Sequence, residues 1–263
     1  MLNLFPNYAE TILALNDNEF TFRHSLSPCL MMARETRASG DIVVSYAPFD
    51  YCNSDAKIVI VGITPGHQQM VNALSEARRL LKSGANNEKS AETAKSFASF
   101  SGTMRTNLIA MLDHIGVNRK LGITSTASLW TTDTRLVHFT SALRYPVFVN
   151  GEDYRGTPDI LKSPMLRQFL ENYTGQELRR LSDAILVPLW PVATNALTHL
   201  ARISMIDSTK LLDGLPHPSG ANAERIAYFL GRKAKEDLSL KTNADSLDVA
   251  LSSLRSRVAE FCC

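Results

Sequence analysis

Two short segments of this chain combine residue types that can do chemistry. The first is Gly62-Ile63-Thr64-Pro65-Gly66, directly after the run from Lys57 to Val61. Two glycines and a proline permit a sharp turn with exposed backbone N–H groups, and Thr64 adds a hydroxyl that can hold a water molecule. Without a neighbouring base that hydroxyl is a poor general base. The second is His217-Pro218-Ser219-Gly220-Ala221-Asn222. Pro218 suits a first helical turn, and Ser219 or Asn222 can satisfy N–H groups there. Capping does not account for His217. At the positive end of a helix its imidazole is expected to be neutral, donating one hydrogen bond to developing negative charge. Plain strand-to-helix turns would use the same glycines and prolines, and taken alone the first segment has that simpler reading.

The elements that must position these segments follow from hydropathy patterning. The run 57–61 is apolar at consecutive positions, as in a strand buried on both faces of a parallel sheet. Further strands are expected over 136–143, 184–189 and 210–215, with a weaker one over 41–47. Helical spacing marks 8–15, 69–82, 107–115, 163–181, 194–203, 220–237 and 246–261, with Gly116 as a natural stop. The polar stretch 84–93 reads as a loop. Alternating strands and helices predict an α/β fold: a three-layer α/β/α sandwich around a central four-stranded, mostly parallel sheet. No linker divides the chain, so 1–263 is expected as one domain. In such a sheet ligands bind beyond the carboxyl ends of the strands, where both segments fall.

Composition narrows the class. The chain has 263 residues, 44% of them apolar and 21% charged, which excludes wholesale disorder. No apolar run reaches the ~18 residues of a membrane span, and the first residues do not read as a signal peptide. Cys29, Cys52, Cys262 and Cys263 are too few and too irregular for a disulfide scaffold or a Cys-x-x-Cys metal site, so a cytoplasmic chain with free thiols is expected. The 28 basic and 26 acidic residues leave a net charge of +2, which neither demands nor forbids nucleic acid.

Taken together, the two segments resemble the uracil-DNA glycosylase superfamily, whose motifs are Gly-x-x-Pro-Gly and His-Pro-Ser-x-x-Asn or a close variant. Phe100-Ser-Gly102 and the helix after it look like the family's Phe-x-Gly segment. The stretch Val137–Pro146 is similar to its base-reading strand, and Ser163–Leu166 with Ile185–Ala193 resemble the iron–sulfur-type families four and five. The resemblance covers roughly residues 25–235. It implies hydrolysis of the N-glycosidic bond of uracil or another damaged base, flipped out of single- or double-stranded DNA. The transition state pairs an oxocarbenium-like sugar with a departing base anion. The resemblance gives water positioning to Gly62, Thr64 and their loop, and places Ile63, Pro65, Gly66, Phe100 and Ser141 around the base, with Phe100 stacking. His217 would stabilise the leaving base. Ser219, Gly220 and Asn222 would hold phosphate at the helix N-terminus. Phe100 also suits a plain core position.

The chain departs from the family in three places. Thr64 stands where many members have Asp or Asn, and Ile63 where the iron–sulfur-type enzymes often have Glu. His67 could substitute, or could simply face solvent at a helix start. Ser141 stands where an Asn amide usually reads the base, and one hydroxyl cannot make a two-point contact. Tyr145 and Ser163 occupy expected cluster-cysteine positions, with only Cys29 near a third, so no iron–sulfur cluster, metal or other cofactor is expected. A charged insertion at about 67–99 reads as a solvated helical face or a DNA-contacting lid, and about 240–263 as a C-terminal helical extension. Arg225, Arg232, Lys233 and Lys235 suit either phosphate contacts or helix-end cations. The competing function is a catalytically weak or inactive nucleobase- or nucleic-acid-binding protein of the same fold, favoured by Ile63, Thr64 and Ser141. An α/β hydrolase would need a Gly-x-Ser-x-Gly elbow, which is missing. No oligomeric state follows from these patterns.

Overall fold

The computed structural model describes residues 3–16, 27–38, 40–100 and 102–261. Ser101, Cys262 and Cys263 lie outside them. Helix α1 (Phe5–Ala14) buries Phe5, Ala9 and Ile12. Strands β1 (Met31–Arg37) and β2 (Gly40–Ser45) pair antiparallel. Strand β3 (Ile58–Gly62) is fully buried from Ile58 to Val61, as its unbroken apolar run requires. Helix α2 (His67–Lys82) turns Met70, Ala73, Leu74 and Ala77 inward, a spacing of three, one and three that makes one face. Helices α3 (Asn87–Ala98) and α4 (Thr103–His114) follow. The chain leaves α4 through Gly116, whose φ of +90° only glycine adopts cheaply. After the short α5 (Val117–Lys120) come β4 (Val137–Ser141), β5 (Val147–Val149) and β6 (Glu152–Asp153). Helix α6 (Pro164–Phe169) continues through a π-helical segment, Leu170–Gly175, into α7 (Gln176–Leu178). The last elements are β7 (Ile185–Pro188), α8 (Pro191–Arg202), α9 (Ala223–Phe229) and α10 (Ala244–Glu260).

The result is a mixed α/β fold with two sheets among the described residues. One is antiparallel, ordered β1-β2-β5-β6. Its β5–β6 turn is Asn150-Gly151 with φ of +52° and +81°, the left-handed pair that a two-residue hairpin demands. The other is ordered β4-β3-β7, with β3 and β7 parallel from Ile58–Ile185 to Val61–Pro188. Strand β4 runs in the same sense: Lys57 N donates to Leu136 O at one end and Ala142 N to Gly62 O at the other.

Two compact units result. The first comprises Met1–Cys52, Gly62–Ser99 and Phe139–Arg180; the second comprises Asn53–Val61, Phe100–His138 and Leu181–Cys263. No helix among the described residues is long and apolar enough to cross a membrane.

Three expectations need correction. Among the described residues the parallel sheet has three strands, because the segment 210–215 contributes only a bridge from Leu211 to Leu186. A 3₁₀ turn, Ser208–Lys210, precedes that bridge, and Gly214 at φ +116° followed by Pro216, which lacks an N–H, ends the pairing. The stretch 84–93 is not a loop: Asn86 caps α3 by accepting from Lys89 N at 2.8 Å. The expected helix 220–237 is a 3₁₀ turn, Gly220–Asn222, leading into the seven-residue α9, which stops before Gly231 at φ +69°.

Candidate functional site

In the first unit, the Gly62–Gly66 loop leaves β3 and is tied down by several hydrogen bonds. Leu143 N donates to Ile63 O at 2.9 Å. The Thr64 hydroxyl donates to Tyr145 O at 2.9 Å and accepts from Val147 N at 3.2 Å. Its proton is therefore committed to the backbone, and one lone pair is left for a water. Pro65 is buried, while Gly62, Ile63 and Gly66 are half-buried. Gly66 caps α2, and its N–H is taken by Gln69 Oε1 at 3.1 Å. The next N–H, of His67, goes to the Asp153 carboxylate at 2.8 Å. A carboxylate thus already fills the positive end of α2. His67 is buried, with its ring edge toward Phe148 at 6.3 Å, and does not face solvent. Ser141, also buried, ends β4; its carbonyl accepts from Thr174 Oγ1 at 3.0 Å.

The same unit buries a set of charges that the sequence reading missed. Glu177 is fully buried and accepts from Lys95 Nζ at 3.0 Å, Arg144 Nε at 2.8 Å and Thr140 Oγ1 at 3.1 Å. Lys95 also donates to Tyr51 O at 2.7 Å. Burial pulls the Lys95 ammonium below the usual lysine range, and Glu177 opposes that shift. Asp50 accepts from Tyr46 and Tyr145, each at 2.7 Å. Burial, and then the Asp50 charge, push both phenols well above the usual tyrosine range, so both remain proton donors. Both Glu177 oxygens are taken by cations, which makes this cluster a neutralised brace and a poor metal ligand set. Lys95 lies in the charged insertion read from the sequence as a solvated face; at this position the insertion is anchored in the interior. Cys52 is a half-buried free thiol that burial pushes above the usual range, and Cys29 is exposed.

In the second unit, the His217–Asn222 loop is built differently. His217 is half-buried, and its Nδ1 accepts from Ser219 N at 3.3 Å. That bond assigns the proton of the neutral ring to Nε2. Burial lowers the pKa of His217 from its ordinary 6.5, which keeps the ring neutral; desolvation, rather than the dipole of the short α9, produces the expected form. Among the described residues, Nε2 takes no hydrogen bond. Ser219 precedes the 3₁₀ turn without capping it through its side chain; its hydroxyl receives Asn222 Nδ2 at 3.4 Å. Asn222 is buried and accepts from Arg225 Nη1 at 3.2 Å. Gly220 is exposed, and a Cβ there would meet nothing within 4 Å. Lys233 and Lys235 pair with Glu224 and Asp245.

Phe100 stands before α4 at φ +45°, with 7% of its surface exposed; Arg105 Nε donates to its carbonyl at 2.8 Å. Asn107, one turn into α4, donates to Pro218 O at 2.8 Å, so the helix that follows Phe100 is fastened to the His217 loop. A residue that sequence reasoning missed completes this side. Trp190, at the carboxyl end of β7, meets the His217 ring with centroids 5.1 Å apart and planes at 83°. Its φ is +90°. A non-glycine residue there costs about 1–3 kcal/mol, and such strain concentrates at functional sites. The strand end and the following Pro191 were legible in the sequence; the backbone angle was not.

The second unit thus brings together His217, Ser219, Asn222 and the helix after Phe100, whereas Gly62, Ile63, Thr64, Pro65, Gly66 and Ser141 group in the first. No family model matches the chain, and no solved structure matches it. Over 214 residues it is 36% identical to the uncharacterized protein YoxB of Bacillus subtilis (strain 168), an alignment covering 80% of this chain and 84% of YoxB. The chain belongs to the same family as YoxB.

Proposed function

We propose that the protein is a uracil-DNA-glycosylase-like N-glycosylase that hydrolyses the bond between deoxyribose and uracil or another damaged base in DNA. The observation that carries this reading is His217: a neutral imidazole whose Nδ1 is engaged by Ser219 N, leaving Nε2–H as the donor. A neutral donor suits a departing base, whose charge develops only as the bond breaks. The reading includes helices on both faces of the parallel sheet.

The remaining residues take roles of different strength. Gly220 has no steric or conformational need to be glycine, and open space there suits a close-approaching phosphate with Ser219 and Asn222 beside it. Phe100, so largely covered, offers a base only an edge or part of a face. Thr64 keeps one lone pair for a water, enough to orient it but not to deprotonate it. An oxocarbenium-like sugar is electrophilic enough to need little more. Ser141 supplies one polar contact at most. The reaction so read requires no metal or cofactor, and its partner is a DNA strand.

The Thr64 hydrogen bonds favour a second reading, a protein that binds nucleobases or nucleic acid with little or no turnover. One experiment separates the two. Purified protein is incubated with single- and double-stranded DNA carrying uracil and a panel of damaged bases, and abasic sites are counted. Abasic sites support the N-glycosylase, tight binding with unchanged strands supports the second reading, and the absence of both abasic sites and binding removes both readings.

A further inference from the structure

Glycine is the residue at home at φ +90°, and the residue before a proline ordinarily takes an extended, negative φ. Trp190 satisfies neither rule: it carries a bulky indole at φ +90° directly before Pro191. The helix that follows does not require the side chain. Trp190 caps α8 through its backbone carbonyl, which accepts from Thr194 N at 3.1 Å, and any residue could supply that group. What the indole alone supplies is the near-perpendicular contact with the His217 imidazole. That contact and the Ser219 N–H to Nδ1 bond constrain the imidazole in different ways, one through its plane and the other through its ring nitrogen.

We infer that Trp190 is a positioning residue for His217: its indole, held at the end of β7 by a strained backbone, fixes the imidazole plane so that Nδ1 stays on Ser219 and Nε2–H is the donor presented. The inference rests on the reading of His217 as the donor to the departing base, but its structural half is measurable without any substrate. Trp190→Gly removes the ring and relieves the backbone, so folding should survive. Trp190→Phe keeps a ring on the strained backbone, and Trp190→Leu removes aromaticity in case glycine destabilises α8.

The experiment is ring ¹⁵N spectroscopy of the histidines in the full chain, with His217 assigned by its absence in His217→Gln, together with amide hydrogen exchange at Ser219. Wild type and Trp190→Phe should show a single Nε2–H tautomer with Nδ1 hydrogen-bonded and the Ser219 amide protected. In Trp190→Gly and Trp190→Leu the tautomers should mix and Ser219 protection should be lost. On uracil-containing DNA, kcat should fall about 10²-fold with KM little changed, as misplacement of a reacting group predicts. Unchanged ring signals and Ser219 protection in both ring-less variants would overturn the inference. If those signals change but no variant, wild type included, releases a base, the positioning role stands and the glycosylase reading falls.

Discussion

The two loops that begin as similar Gly/Pro turns end in opposite states. In the Gly62–Gly66 loop several polar groups are taken up within the fold: Thr64 Oγ1 by Tyr145 O and Val147 N, Gly66 N by Gln69, and the adjoining His67 N by Asp153. In the His217–Asn222 loop the imidazole Nε2–H takes no hydrogen bond among the described residues, Ser219 does not cap through its hydroxyl, and Gly220 faces open space. A loop whose hydrogen bonds close on themselves holds a fold; a loop that leaves an oriented donor over can act on something else. The contrast assigns stability mainly to the first loop and recognition mainly to the second.

Substitutions in either loop or its supports test this contrast. The largest expected effect is structural. Glu177→Gln leaves Lys95 and Arg144 buried without their carboxylate and should lower unfolding free energy by about 3–5 kcal/mol in denaturant titration. A loss under about 1 kcal/mol would mean that the brace is not what holds α3 down. Next, Thr64→Val leaves the Val147 N–H and the Tyr145 carbonyl unpaired, at about 1–3 kcal/mol. Turnover per folded molecule should change less than in a His217 variant; the reverse order would move the chemistry to the first loop. Ser219→Ala should weaken DNA affinity by about 1 kcal/mol, read as Kd at fixed salt, with the melting temperature nearly unchanged.

The smallest effect concerns pH. Because folding lowers the His217 pKa below 6.5, the unfolded chain binds more protons between the two values. The stability this gives is complete above about pH 6.5 and is lost as pH falls toward the folded value. On acidification below about pH 6.5 the wild type should therefore lose melting temperature relative to His217→Gln. A wild type that gains on the variant as pH falls would mean that His217 is stabilised as the cation.

Much of the scaffold was legible because burial leaves a period. The unbroken run of β3 and the Met70, Ala73, Leu74, Ala77 face of α2 could be read directly. Helix α3 was missed because its inward residues are Ala91, Ala94 and Ala98, whose apolar signal is weak, although Asn86 with Glu88 in the first turn marked its start. The antiparallel sheet was missed because β1 is a polar edge strand, yet Asn150-Gly151 between short β-branched and acidic runs was a readable hairpin turn. The partners of Thr64 and Lys95 lie some 80 residues away and are invisible to any local pattern. His217 could be picked out by type and place. Its tautomer, set by Ser219, and its contact with Trp190 could not.

The most direct test is single-turnover base release from uracil-containing DNA by wild type and His217→Ala at equal folded concentration. The variant should keep its melting temperature and DNA affinity while its rate falls by about 10²–10³, equivalent to about 2.7–4 kcal/mol of transition-state stabilisation. A variant that melts earlier yet releases base at the wild-type rate per folded molecule would contradict that expectation, making His217 a structural residue and the second loop a turn like the first.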